Sequence, residues 1–191
     1  MPYLGRQRHL AGRDPDKAID TRGAHFGDIT NWSSGIITKG VLLDVPRHRG
    51  VPHVTADRPV HGSELAAIAE AEGVRVEAGD ALVVHSGWES YRKSSAGPGG
   101  PGLHASCAAF IRDRDVALLG WDLMDARPDV GLPWPVHGVL NNFGVALLDN
   151  ALLEPLAAAC AQEGRYEFMF MLLPLRVARG TGSPVNPVAM F

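Results

Sequence analysis

Cysteine is scarce in this sequence: Cys107 and Cys160 are the only two. Both sit in apolar, helix-like surroundings, and their separation gives no support to a thiolate metal site. Buried free thiols in a reducing compartment are expected instead. Long hydrophobic runs are also missing. The longest, Phe168 to Leu175, falls well short of the roughly 20 residues that a membrane helix needs. The opening residues, MPYLGRQRHLAGRD, are charged and lack the apolar segment of a secretory signal. A cytoplasmic protein with no membrane partner is therefore expected. There is no basic excess, since 18 Lys and Arg stand against 21 Asp and Glu for a net charge of −3. No basic stripe is interleaved with aromatics, so a nucleic-acid partner is not expected. The glycine-rich nucleotide loops GxGxxG and GxxxxGK[ST] do not occur. Nor does a Gly-x-Ser-x-Gly elbow, although Ser86-Gly87 imitates part of one. No internal repeat is visible.

What remains is an ordinary globular composition. Of 191 residues, 46% are apolar and 20% charged, enough for one domain with a buried core. Residues 1–35 show no sustained period of 2 or 3.6 and read as an arm or extended segment. The domain proper is placed at residues 36–191, where strand and helix patterns alternate and predict an α/β fold. Buried strands are expected at Val41–Val45, Ala81–Val84, Val116–Leu119, Val145–Leu148 and Tyr166–Val177. Helices are expected after Gly62-Ser63-Glu64, over His104 to Arg112, and after Asn150. Pro155 is tolerable there only in the first helical turn. The loop Ser94 to Gly102 follows a strand end and is long enough to suggest a functional role.

Chemistry concentrates between Gly131 and Leu156. His137 precedes Asp149 by twelve positions, with a short helix, a turn at Gly144 and a strand between them. A carboxylate at a strand end and a histidine on the preceding element could converge on one metal or one proton. The competing reading is a helix-capping Asp149 and a locally hydrogen-bonded His137. Trp88, Trp121 and Trp134 all lie near strand ends. They are candidates to line an apolar pocket for a flat substrate, the alternative being ordinary core or rim aromatics. The tail Gly180 to Pro187 has the glycine and proline content of a shaped loop and is expected either to border that pocket or to serve as a structural turn.

The order of short motifs adds a resemblance. GVLLDVPR at 40–47, GDALVVHSGW at 79–88, PGL at 101–103, LLGWD at 118–122, LPWPVH at 132–137 and TGSPVNP at 181–187 together resemble the cyclase family of metal-dependent hydrolases. That family includes bacterial kynurenine formamidase and isatin hydrolase. The resemblance covers residues 35–191 and implies a swivelling β/β/α fold with a mixed, largely buried sheet, assembled as a homo-oligomer. It also implies hydrolysis of a small amide, lactam or lactone with zinc or manganese. His137 matches a metal-ligating histidine of the family, which also makes it the catalytic candidate. Asp149 stands where the family has a glutamate ligand and is one methylene shorter.

The family's His-x-Gly-Thr-His-x-Asp-x-Pro-x-His signature has no counterpart upstream of the strand GVLLDV. Gly40, Asp44, Pro46 and His48 imitate its spacing, but Thr38 and Leu42 occupy the histidine positions, and VLLDV is better read as a buried strand ending near Asp44. His9, His25 and His48 could supply a third ligand, though none stands in matching context. Two assignable ligands lead us to expect substoichiometric metal and weak hydrolysis. Self-association is expected to cover apolar surface and strand edges. The alternative is a metal-poor or non-catalytic member that binds a small molecule or acts as a scaffold.

Overall fold

The computed structural model describes residues 14–94, 100–127 and 134–191. Elements β1–β8 and α1–α7 are numbered in chain order. A short helix α1 (Pro15–Ala18) leads into a two-stranded hairpin, β1 (Ile19–Asp20) and β2 (Gly23–Ala24). A 3₁₀ turn follows at Ile29–Trp32. Ala18 and Ala24 are buried. The segment is tied to the far end of the chain, because Ala24 donates its N–H to the Arg179 carbonyl at 2.8 Å and Arg179 donates its own to Asp28 at 2.8 Å. Residues 1–13, with His9, lie outside the described residues.

The nine-residue strand β3 (Ile36–Asp44) lies inside a six-stranded sheet. It is followed by α2 (Val45–Arg49), α3 (Gly62–Ala71), β4 (Ala81–His85), α4 (Trp88–Lys93), α5 (Ser106–Asp113) and β5 (Leu118–Trp121). Then come α6 (Gly138–Phe143), β6 (Ala146–Leu148), α7 (Glu154–Glu163), β7 (Glu167–Leu172) and β8 (Val188–Met190). The strand order is β6-β5-β4-β3-β7-β8. The first four strands run parallel, while β7 and β8 are antiparallel additions, so the sheet is mixed as expected.

The period of 2 along each strand divides the core between the two faces. Val41, Leu43, Leu82, Val84, Leu119 and Trp121 pack with Leu65 and Ile68 of α3 and Phe110 and Ile111 of α5. Leu42, Ala81, Val83 and Leu118 pack with Ala157 and Cys160 of α7 and with Phe168 and Phe170 of β7. Both cysteines are free and buried, as their apolar surroundings implied. Among the described residues no helix is long and apolar enough to cross a membrane.

Several boundaries differ from the sequence expectation, each for a local reason. Asp44 ends β3 and caps α2 by accepting the Arg47 N–H at 3.1 Å, so Val45 and Pro46 open a helix. Proline fits there because its missing N–H would be unpaired in a first turn. The strand expected over Tyr166–Val177 stops at Leu172, just before Leu173-Pro174, where proline has no donor for a ladder. In the tail, Val188–Met190 add an edge strand to β7 that turn-rich composition did not announce.

One buried charge makes the fold pH-sensitive. Glu72, just beyond α3, accepts the Asp44 N–H at 3.0 Å through Oε1, while Oε2 is buried without a hydrogen-bond partner. Burial, reinforced by the Asp44 charge, pushes the Glu72 carboxyl up to about 7 from an ordinary 4.5. An acid raised in the fold leaves stability untouched below its unfolded value and costs progressively more as pH rises towards its folded one. Glu72→Gln, which keeps the acceptor, is therefore expected to stabilise by about 1 kcal/mol at roughly pH 8, after allowing for partial exposure, and by nothing near roughly pH 4. Urea melts at the two values check this, and equal effects at both would contradict it.

Candidate active site

His137 and Asp149 are brought together by the turn between them. His137 sits at the N-terminal edge of α6, which ends at Gly144 in the left-handed conformation (φ +74°). The chain then reverses into β6, whose end delivers Asp149. Asn150, also at positive φ (+54°), turns the backbone towards α7. The result places His137 Nε2 3.6 Å from Asp149 Oδ2.

Two residues hold this pair in place. Trp121, at the end of β5, donates its indole N–H to Asp149 Oδ1 at 2.6 Å and packs its ring, tilted by 47°, 4.9 Å from the His137 imidazole. Asp125 accepts the Val136 N–H through Oδ1 at 2.6 Å, and its Oδ2 hydrogen-bonds His137 Nδ1. With Nδ1 engaged by a carboxylate, Nε2 is the nitrogen turned to Asp149 and the cavity beyond. Carboxylate–histidine pairs of this kind commonly orient an imidazole for a metal or a proton.

The electrostatics follow from burial and charge. Burial disfavours the His137 cation, but the carboxylates of Asp125 and Asp149 outweigh it and hold the ring up to about 9. Burial acts against the charge of Asp149 as well, yet His137 and the Trp121 N–H keep its carboxyl below the ordinary range.

His137 and Asp149 face a cavity of about 430 Å³, walled by Phe26, Trp32, Leu140 and Val185. Thr181, Gly182 and Ser183 line it too, which places part of the Gly180–Pro187 tail at its border. A second, wider cavity of about 800 Å³ lies behind the imidazole. It is lined by Trp88, Tyr91, Trp134, Arg127 and by Asp125 itself, and the Arg127 guanidinium stacks 3.8 Å over Trp134. The three tryptophans singled out in the sequence thus have different surroundings. Trp88 and Trp134 border the second cavity, whereas Trp121 is fully buried and its indole supports Asp149. Residues 95–99 and 128–133, which include most of the Ser94–Gly102 loop, lie outside the described residues.

Asp125 was not signalled by the sequence. Of the histidines considered as third ligands, His25 pairs with Asp20 at 2.9 Å and His48 is exposed on α2. Among the described residues, only one group of three His, Cys, Asp or Glu ligand atoms gathers within 4.8 Å, and it comprises His85, Asp122 and Glu154.

Comparison with known proteins supplies the lineage. The family described as Putative cyclase matches residues 19–127, more than half of the chain. This chain belongs to the cyclase family. The kynurenine formamidase of Bacillus cereus is 32% identical over 88 residues, which make up 46% of this chain and 39% of that protein. The isatin hydrolase of Roseibium aggregatum is 28% identical over 138 residues, 63% of this chain and 48% of that protein. The chain thus spans less than half the length of these curated relatives. The crystal structure of a novel cyclase superposes with a TM-score of 0.82 at 26% identity, covering 98% of this chain and 65% of that one. The mixed sheet is accordingly that of a cyclase-family fold.

Proposed function

We propose that this cyclase-family chain takes part in hydrolysis of a small amide, lactam or lactone, with the reacting carbonyl held in the 430 Å³ cavity over His137 and Asp149. One observation carries the reading: the buried Asp125–His137 pair, with the more exposed Asp149 beside it, opens onto a largely apolar cavity. The names of the relatives, a formamidase and an isatin hydrolase, point to acyl–nitrogen bonds.

The donor set suits a divalent cation of the zinc or manganese class, with His137 Nε2 and Asp149 Oδ2 as the ligands of this chain. Such an ion, when bound, supplies Lewis-acid polarisation of the carbonyl and a more acidic water. The side chains supply the rest. Asp125 fixes the imidazole, Trp121 fixes the carboxylate, and Phe26, Trp32 and Leu140 exclude bulk water from the reacting bond. Hydrolysis breaks the acyl C–N or C–O bond, places the water oxygen on carbon and returns a proton to the leaving atom.

The deciding experiment is an assay of an arylformamide, a lactam and a lactone, with and without added zinc or manganese. Carboxylate release from one class that depends on added metal is expected. No turnover of any class, together with ligand-induced thermal stabilisation, would favour the second reading, a small-molecule-binding member without catalysis. That reading draws on the closely held His137, whose raised protonation opposes metal ligation.

Self-association is part of the same proposal. Register places Ile37 opposite Met171, and Met169 opposite Met190, on one face of β3, β7 and β8. Ile37, Met169, Val188 and Met190 are exposed there. A second copy covering this apolar face is expected to give a dimer or larger species in sedimentation at tens of micromolar, and a monodisperse monomer would contradict it.

A further inference from the structure

The carboxyl ends of β3, β4 and β5 converge on a second polar cluster under the start of α7. Asp44 and His85 are register partners on the α7 side of the sheet, and His85 Nδ1 lies 3.0 Å from Asp44 Oδ1. Asp122, the residue after β5, accepts the N–H groups of Ser86 (2.7 Å), Gly87 (2.8 Å) and Trp88 (3.0 Å). Glu154, at the first turn of α7, accepts the Glu89 N–H at 2.6 Å through Oε1. These bonds fix all four side chains, yet they leave the middle of the cluster unsatisfied. His85 Nε2, Glu154 Oε2 and the Ser86 hydroxyl are buried with no hydrogen-bond partner. His85 is only 8% exposed and Asp122 only 3%. Each orphaned buried polar atom is destabilising, because it has lost its water without gaining a partner.

We infer that His85, Asp122 and Glu154 form a divalent-cation site of the zinc or manganese class, separate from the His137–Asp149 pair and structural in role. Three features support it together. Each residue brings a ligand atom within 4.8 Å of the other two, with His85 Nε2 4.0 Å from Asp122 Oδ2. That spacing is a little wider than ligands at about 2.0–2.2 Å from zinc require, so a small inward rotation of the side chains completes it. Asp44 accepts a hydrogen bond from His85 Nδ1–H, which turns Nε2 to the middle of the cluster, as in carboxylate–histidine–metal arrangements. One imidazole nitrogen and two carboxylate oxygens form a three-ligand set that holds borderline divalent cations better than calcium or magnesium. A cation there also satisfies the orphaned Nε2 and Oε2 at once, and it ties the β4–α4 turn, the end of β5 and the start of α7 to one point.

The test uses the His137→Ala protein, so that the first pair cannot contribute, stripped with a chelator and titrated with zinc chloride or manganese chloride. Calorimetry is expected to show about one equivalent of zinc per chain, and the thermal midpoint should rise by several degrees as zinc is added. Adding Glu154→Gln, which retains the acceptor for the Glu89 N–H, is expected to weaken zinc binding by about tenfold or more and to abolish the rise. His85→Gln, whose amide keeps a donor for Asp44, should do the same, and it decides the matter if the Glu154 variant fails to fold. No zinc binding to the His137→Ala protein would overturn the inference, as would undiminished binding in either double variant. Failure of the hydrolysis assay would leave this result unaffected.

Discussion

His137→Ala is expected to lower kcat/KM for the hydrolysed substrate class by about 10²–10⁴-fold, the range for removing a positioned proton-transfer group. The imidazole is the one side chain joined to both carboxylates of the site, through Nδ1 to Asp125 and through Nε2 to Asp149. Its removal takes away a metal donor and a proton carrier together. It also leaves the buried Asp125 carboxylate without its cationic partner, so circular dichroism must show that the variant is folded before activity is compared. Asp125→Asn provides a second arm. An asparagine keeps the volume but cannot anchor the same imidazole tautomer, and a loss of about 10–100-fold is expected. The Asp125 variant should also displace the pH profile, because the carboxylate that helps hold His137 up to about 9 is gone. His137→Ala activity within about threefold of the parent would remove His137 from the mechanism.

The largest expected effect on stability lies elsewhere, at Arg49. Its guanidinium is buried (side chain 3% exposed) and forks onto Glu64, with Nε to Oε1 at 2.6 Å and Nη2 to Oε2 at 2.6 Å. It also donates to the carbonyls of Arg58 at 2.7 Å and Pro59 at 3.0 Å, so α2, α3 and the loop between them share one side chain. Arg49→Ala strands the Glu64 charge and two carbonyls, and a loss of about 3–5 kcal/mol is expected in urea melts at neutral pH. Arg49→Lys should recover only part of this, since an ammonium cannot reproduce the fork. Hydrogen bonding to Arg49 is the main reason the Glu64 carboxyl lies below its ordinary 4.5, although burial opposes it. The stabilisation is therefore complete above pH 4.5 and fades as pH falls through the lowered folded value. The gap between parent and Arg49→Ala should narrow in acid. A neutral-pH loss below about 1 kcal/mol would show that the pair is dispensable.

What could be read from the sequence was what is local. Val41–Leu43 and Ala81–Val84 are continuous apolar runs bounded by turn residues, and strands buried on both faces look like that. The approach of His137 to Asp149 was legible because only a short helix, a glycine turn and a strand separate them. Contacts that depend on the sheet register were not legible. His85 meets Asp44 across 41 positions, and Asp122 meets Ser86 across 36. Nothing near any of these residues in the chain marks it as polar and buried. Helix α4 was hidden for a different reason. The expected functional loop began with Ser94, and the sequence before it, WESYRK, has no apolar periodicity, since α4 has no buried residues.

Asp125 lines the larger cavity and hydrogen-bonds the histidine that lines the smaller one. Its carboxylate anchors the imidazole that faces the smaller cavity and is itself part of the wall of the larger one, beside Arg127 and Trp134. The two spaces are linked through the Asp125–His137 hydrogen bond. Any molecule in the larger cavity that draws on Asp125 must change the free energy of whatever His137 holds in the smaller one, and by reciprocity the smaller cavity's occupant changes the affinity of the larger by the same factor. Saturation of the two spaces is then one thermodynamic problem with a shared term, and a binding isotherm measured for either depends on the other.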